Sequence, residues 1–477
     1  MGLLIRQGEI VTAADRYVAD LYVDDGRVAA IGTGLEPRSA RDQVLDAGGL
    51  LVFPGFVDPH VHLALPVAGT VSVDDFATGT ASGVAGGTTT IIDFVVPERG
   101  QSLLEALGLW RERARGAVTD YAFHMGVSSW DARTAGEMQA VVERHGIPSF
   151  KVLLAYKGTL MVDDGELYQV MKQAARLGAV VLVHAENGDA VAALQQELRD
   201  RGDLGPEFPP LSRPSSLEGA ATHRALVMAR LPGTEVYIVH MTCREAVEEL
   251  ERARLAGQRC YGETCPQYLL LDDRVFAQPD FEAAAFVCSP PIRPAHRGHH
   301  DALWRGLAGG MLDTVGTDHC AFTMEQRRLG EHDFTRIPGG LPGIEDRLQL
   351  LYTYGVLAGH FDLQRMVALG STNAARIFGL YPRKGTIAVG SDADLVLYDP
   401  TSSSVRSAKT HRSRSDRNPY EGLPVRGAPT HVIVGGRIAC ADGVLQVEPG
   451  SGRFLPRAAR PDPGPRPTGA TEMGRIG

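Results

Sequence analysis

The first fifty residues alternate apolar and polar side chains between turn residues. LLIRQGEIV, DLYVDDGRVAAIG and DQVLDAGGLLVFPG read as short strands, with Asp25 and Gly26 forming a hairpin turn. The same texture returns in ADLVLYDP (393–400) and THVIVGGRIACADG (430–443). Two β-rich pieces from opposite chain ends predict one small sheet domain, with residues 1–52 as its first part and 381–455 as its second. Between them the rhythm changes. Apolar strand candidates at 53–62, 88–95, 120–127, 148–154, 179–186, 235–242, 258–264 and 312–318 alternate with amphipathic stretches such as SLLEALGLWRERARG, LYQVMKQAARLG and CREAVEELERARLAG. Near-continuous apolar strands separated by helices belong to a parallel sheet. Eight such units predict an α/β fold, a closed (β/α)8 TIM-like barrel over residues 53–380. An open doubly wound sheet is the alternative, but no strand is followed by GxGxxG. Residues 456–477 are rich in Pro, Gly and Arg and predict a flexible tail.

Composition narrows the function classes. With 477 residues and 44% apolar side chains, the chain can bury a large core. A formal net charge of −9 gives no basic footprint for nucleic acid. Arginines gather only near the C-terminus (Arg453, Arg457, Arg460), where a short basic tail is ordinarily solvated. The six cysteines include no CxxC pair, which in a chain this long points to a reducing compartment. The N-terminus lacks a basic segment followed by an apolar one, and no apolar run reaches the roughly 18 residues of a membrane span. A cytoplasmic protein without membrane partner is expected.

The candidate chemistry lies in where metal-capable residues fall. His60 and His62 end the first strand, one residue apart, so an extended backbone turns both imidazoles to one face. Lys151 sits inside the fourth strand between Phe150 and Val152. His184 closes the fifth strand, His240 the sixth and Asp318 the eighth. In a barrel those C-terminal ends converge on one mouth, where barrel enzymes place their chemistry. Each residue alone has an ordinary reading: a core or surface histidine, an aspartate capping a turn. Independent placement does not account for all of them at one mouth.

Lys151 needs its own argument. A buried ammonium beside divalent cations is desolvated and repelled. Burial favours the neutral amine, which can add carbon dioxide to give N6-carboxylysine, an anion whose two oxygens can bridge two metals. A lysine paired with a carboxylate is the other reading.

The segments PGFVDPHVHL (54–63), FKVLLAYKG (150–158), VHAENGD (183–189), VHMT (239–242), GETCPQYL (262–269), CSPPIR (288–293) and GTDHCAF (316–322) resemble the cyclic-amidohydrolase branch of the amidohydrolase superfamily. Within it they are most similar to dihydropyrimidinases and hydantoinases, from about residue 1 to 455. The resemblance implies a barrel with a β-sandwich built from both termini, and usually a homotetramer. It implies that His60, His62 and Asp318 hold one divalent ion, His184 and His240 another, and carboxylated Lys151 bridges them. Tyr156 matches a family tyrosine that donates to the developing oxyanion. Ser289 matches the residue whose main chain grips the ring amide. Where members often read IPNG, this chain reads IPGG, with Gly339 at the Asn position. The resemblance implies a contact largely through the backbone, which Gly339 could still supply; an unusual backbone angle is the alternative reason for a glycine.

The implied reaction opens a cyclic amide, a 5,6-dihydropyrimidine or a hydantoin, to an N-carbamoyl amino acid. A metal-bridging hydroxide attacks, and Asp318 returns its proton to the leaving nitrogen. Zinc suits mixed imidazole and carboxylate ligands, and manganese, cobalt or iron fit a similar site. LALPV (63–67) and Leu160 are candidate walls for the ring substituent. An allantoinase is the nearest rival, but its usual CPHYL and the serine after DH are replaced here by Gln267 and Cys320. A non-catalytic scaffold of the same fold would have lost ligands, and every ligand position is filled. No GxSxG supports a serine hydrolase, and Cys265 and Cys320 read as buried thiols.

Overall fold

The computed structural model describes residues 2–459. Both chain ends build one mixed sheet. Strands β1 (Leu3–Val11), β2 (Arg16–Asp24), β3 (Arg27–Gly32), β4 (Gln43–Asp46) and β5 (Leu51–Pro54) come from the start of the chain. The late strands β16 (Leu395–Val405), β17 (Pro424–Val434), β18 (Arg437–Ala441) and β19 (Val444–Leu445) complete it. The junction is the antiparallel pairing of β5 with β16, in which Val52 faces Leu397 and Phe53 faces Val396. Leu3, Ile5, Leu21, Val52, Leu395, Leu397 and Ile433 then share one apolar core, so neither half buries its surface without the other. Asp25 and Gly26 both take positive φ, 46° and 72°, as the hairpin turn requires.

The central segment forms the parallel barrel. Its strands are β6 (Phe56–Val61), β9 (Thr88–Val95), β10 (Asp120–Gly126), β11 (Ser149–Leu153), β12 (Val180–His184), β13 (Val236–Ile238), β14 (Cys260–Thr264) and β15 (Thr314–Val315), hydrogen-bonded in sequence order. A small ribbon of β7 (Pro66–Val67) and β8 (Thr70–Val71) follows β6. The ring closes beyond β15, where the Asp318 amide donates to the His60 carbonyl (2.9 Å) and the His62 amide to the His319 carbonyl (2.8 Å). Helices Leu103–Arg113, Asp164–Arg176 and Arg244–Leu255 occupy the predicted amphipathic stretches. Alternate residues of β12 bury on opposite faces: Val180 and Leu182 join an interior cluster with Ile92 and Tyr237, while Val181 and Val183 pack outward. That two-sided burial explains the unbroken apolar runs. Lys151 pairs in register with Leu182, which turns its side chain inward.

Two expectations are corrected. β6, β13 and β15 are shorter than their apolar runs, so His62, His240 and Asp318 lie just past the strands rather than at their last positions. The start of the expected solvated tail is instead fastened to the barrel. Arg457 is only 3% exposed and donates to the Phe378 carbonyl (3.3 Å) and the Ser149 hydroxyl (2.9 Å), while Arg453 pairs with Asp120 at 3.0 Å. Residues 460–477, the rest of that expected tail, lie outside the described residues. Among the described residues no helix is long and apolar enough to cross a membrane.

Candidate metal centre and active-site cavity

The C-terminal ends of the barrel strands open into a cavity of about 660 Å³. Every site residue singled out from the sequence lines it: His60, His62, Lys151, Tyr156, His184, His240, Ser289, Asp318 and Gly339. Of the expected apolar walls, Leu65, Pro66, Val67 and Leu160 face it, whereas Leu63 is buried in the core behind.

The donors form two groups. Asp318 Oδ1 lies 3.2 Å from His60 Nε2 and 3.1 Å from His62 Nε2, and one ligand atom from each of the three falls within 4.8 Å of the others. Beside them, His184 Nδ1 and His240 Nε2 face each other at 3.0 Å, and the His60 and His240 rings are 5.4 Å apart. Lys151 reaches in with its ammonium 5.1 Å from the centre of the Phe94 ring. It is 5% exposed and enters no salt bridge among the described residues. Burial draws its pKa down to about 7 against the attraction of Asp318 and Glu263. Burial also opposes charge on Asp318, yet His60 and His62 hold that carboxyl well below its usual range. Imidazole nitrogens and a carboxylate, inward-facing and largely dry, suit divalent cations of the zinc type.

The backbone is bent to aim these groups. Tyr156, His240 and Asp318 all take positive φ, at 67°, 37° and 53°. Non-glycine residues adopt that region at a cost of about 1–3 kcal/mol each, and such strain gathers at functional sites. The turn explains the shortened strands: the ladder ends where the chain must swing His240 and Asp318 toward the cavity. Gly316 is needed nearby, because a Cβ there would meet Glu263 Oε2 at 2.7 Å and His60 Cβ at 3.0 Å. Gly339 is not required by its backbone. A Cβ there would meet nothing closer than 3.7 Å, and the positive φ of 148° belongs to Gly340. The unusual-angle explanation for Gly339 is therefore excluded.

Sequence reasoning missed the groups that hold the ligands in place. Glu263 on β14 binds His60 Nδ1 at 2.6 Å, accepts from the His240 amide at 3.1 Å and from the Tyr237 hydroxyl at 2.7 Å. One carboxylate thus fixes a member of each donor group and presents His60 Nε2 to the cavity. Glu186 binds His184 Nε2 at 2.7 Å and is itself held by Arg213. Both glutamates lie in segments already quoted, GETCPQYL and VHAENGD, but spacing alone does not pair Glu263 with a distant histidine. Partners of this kind typically tune metal affinity 10–100-fold. Glu263→Gln is expected to weaken divalent-metal binding by about that factor, read by competition with a chromophoric chelator.

A barrel with two imidazole-rich donor groups at its mouth defines the metal-dependent barrel hydrolase class. Comparison with known proteins sharpens this: the model of the amidohydrolase family matches residues 51–439, and the chain belongs to that family. It is 46% identical to the D-hydantoinase of Geobacillus stearothermophilus over 96% of this chain and 97% of that one. It is 44% identical to the dihydropyrimidinase of Arabidopsis thaliana over 95% of this chain and 85% of that one. The crystal structure of dihydropyrimidinase from Brevibacillus agri NCHU1002 superposes with a TM-score of 0.94 at 44% identity, covering 97% of this chain and all of the other.

Proposed function

We propose that this chain is a two-metal cyclic amidase that opens a dihydropyrimidine or hydantoin ring to an N-carbamoyl amino acid. The observation that carries the reading is the convergence of four imidazoles, Asp318 and Lys151 in one cavity of a chain so similar to hydantoinases and dihydropyrimidinases. His60, His62 and Asp318 would hold one ion, His184 and His240 the other, with Lys151, as its carbamate, between them. Bound there, divalent ions lower the pKa of water and polarise a carbonyl.

The chain's own groups then act in order. The main chain at Ser289 and Gly339 grips the ring amide, and apolar walls exclude water from it. Tyr156 donates its O–H to the carbonyl oxygen as that oxygen becomes anionic. Burial keeps the phenol protonated, against the pull of Arg213, whose guanidinium carbon lies 5.4 Å from the ring centre. Asp318 takes a proton from the attacking water and passes it to the ring nitrogen as the C–N bond breaks. The products are a carboxylate and a free ureido group on one open chain. Tyr156→Phe is expected to lower kcat about a hundredfold with metal content intact, the usual cost of one oxyanion donor. An unchanged kcat would remove Tyr156 from this role.

The test is a panel of dihydrouracil, hydantoin, phenylhydantoin and allantoin offered to zinc-loaded protein. Opening of a dihydropyrimidine or hydantoin, abolished by chelation and restored by zinc, manganese or cobalt, is the expected result. Preference for allantoin would shift the substrate. No bound metal and no ring opening would leave a scaffold. The reading includes a cytoplasmic location, which six unpaired buried cysteines favour, and a homotetramer, checked by light scattering.

A further inference from the structure

Arg327 ends a short helix, Met324–Arg327, outside the metal cluster, yet it is among the largest wholly buried side chains, 1% exposed. It enters no salt bridge among the described residues. Its guanidinium donates to three main-chain carbonyls: Val287 (3.3 Å), Pro338 (3.0 Å) and Gly340 (2.5 Å). Burial draws its pKa down to about 10, so the group stays charged at neutral pH. A buried cation whose hydrogen bonds all go to carbonyls is costly to keep, and removing it would leave the Pro338 and Gly340 carbonyls short of a donor.

The acceptors are informative. Val287 leads into Ser289, while Pro338 and Gly340 flank Gly339, and Val287, Ser289, Gly339 and Gly340 all line the cavity. The two loops also touch directly, the Gly340 amide donating to the Val287 carbonyl at 2.9 Å. Gly339 contributes no side chain to hold its own loop, and Gly340 closes against the Cys320 carbonyl so tightly that a Cβ would meet it at 2.4 Å. The order of this wall comes from outside it, and one planar fork reaches both loops at once.

We propose that Arg327 is a positioning residue for substrate binding: it fastens the 287–289 and 338–340 loops in the one register in which their main-chain groups receive the ring amide. The inference rests on the cyclic-amidase reading and adds a determinant of KM that touches neither metal nor reacting atoms.

The experiment compares wild type with Arg327→Lys and Arg327→Gln, each zinc-loaded, using initial rates over a concentration series of dihydrouracil and hydantoin. Metal content and backbone hydrogen exchange are measured on the same preparations. Arg327→Lys keeps the charge but loses the fork, so it serves where Arg327→Gln does not fold. The expected result is a KM raised about tenfold or more, kcat within about threefold, full metal content, and faster exchange at the Gly340 amide. An unmoved KM in an active wild-type background, or kcat and metal content falling together, overturns the role of Arg327. A wild type that opens none of these rings overturns the cyclic-amidase reading beneath it.

Discussion

Lys151→Ala is expected to lower turnover by about a thousandfold or more, close to 4 kcal/mol of transition-state stabilisation, and to reduce metal content on the same sample. The reason is geometric. His60, His62 and Asp318 form one donor group and His184 with His240 the other, and Lys151, on the strand beside that of His184, lines the same cavity. It is buried over the face of Phe94 with no carboxylate partner, so its charge has little to recommend it in that place. As a carbamate it would supply one oxygen to each group; as alanine it supplies none, leaving the second pair of imidazoles without an anionic ligand. Added short-chain carboxylic acid should restore part of the rate by filling the gap. A fully active, fully loaded Lys151→Ala enzyme would rule out the bridge.

The largest stability effect is expected at the opposite end of the barrel. Lys384 is buried and its ammonium lies 2.8 Å from Asp120 Oδ2, 2.6 Å from Asp394 Oδ2 and 3.1 Å from Asp392 Oδ2. Asp120 opens β10, and Asp392 and Asp394 precede β16, so one cation ties the N-terminal end of the barrel to the sheet domain. Burial works against the charge, but the three carboxylates outweigh it and raise the lysine's pKa. Lys384→Met keeps volume and removes the cation, leaving carboxylates crowded out of water. Loss of one partner from a buried ionic cluster costs about 3–5 kcal/mol. Arg453 and Arg383 still reach Asp120 and Asp392, which favours the lower part of that range. A fall in the denaturant midpoint with unchanged kcat in the folded fraction is the expected pattern. An unmoved midpoint would show that those arginines suffice.

Local pattern was enough to locate the architecture. Side-chain alternation and 3.6-residue periodicity are properties of short segments, so eight apolar strands, their helices and the two halves of the sheet domain were legible from residue order. The C-terminal side of each apolar run was legible as well, though not the exact strand end, and because a parallel barrel gathers those sides at one mouth, His60, His62, His184, His240 and Asp318 fell into a single cavity. The positive φ of His240 and Asp318 was hidden, since neither is a glycine and their segments read as continuous strand. So was Glu263, which meets His60 across some two hundred residues of chain. The same holds for Arg327 and Arg457, whose sequence neighbourhoods resemble ordinary charged surface although both are buried on carbonyls. Periodicity reports which way a side chain points from its own backbone. Which distant group it then meets depends on how the ring closes and how the loops fold over it, and that is a property of the assembled barrel alone.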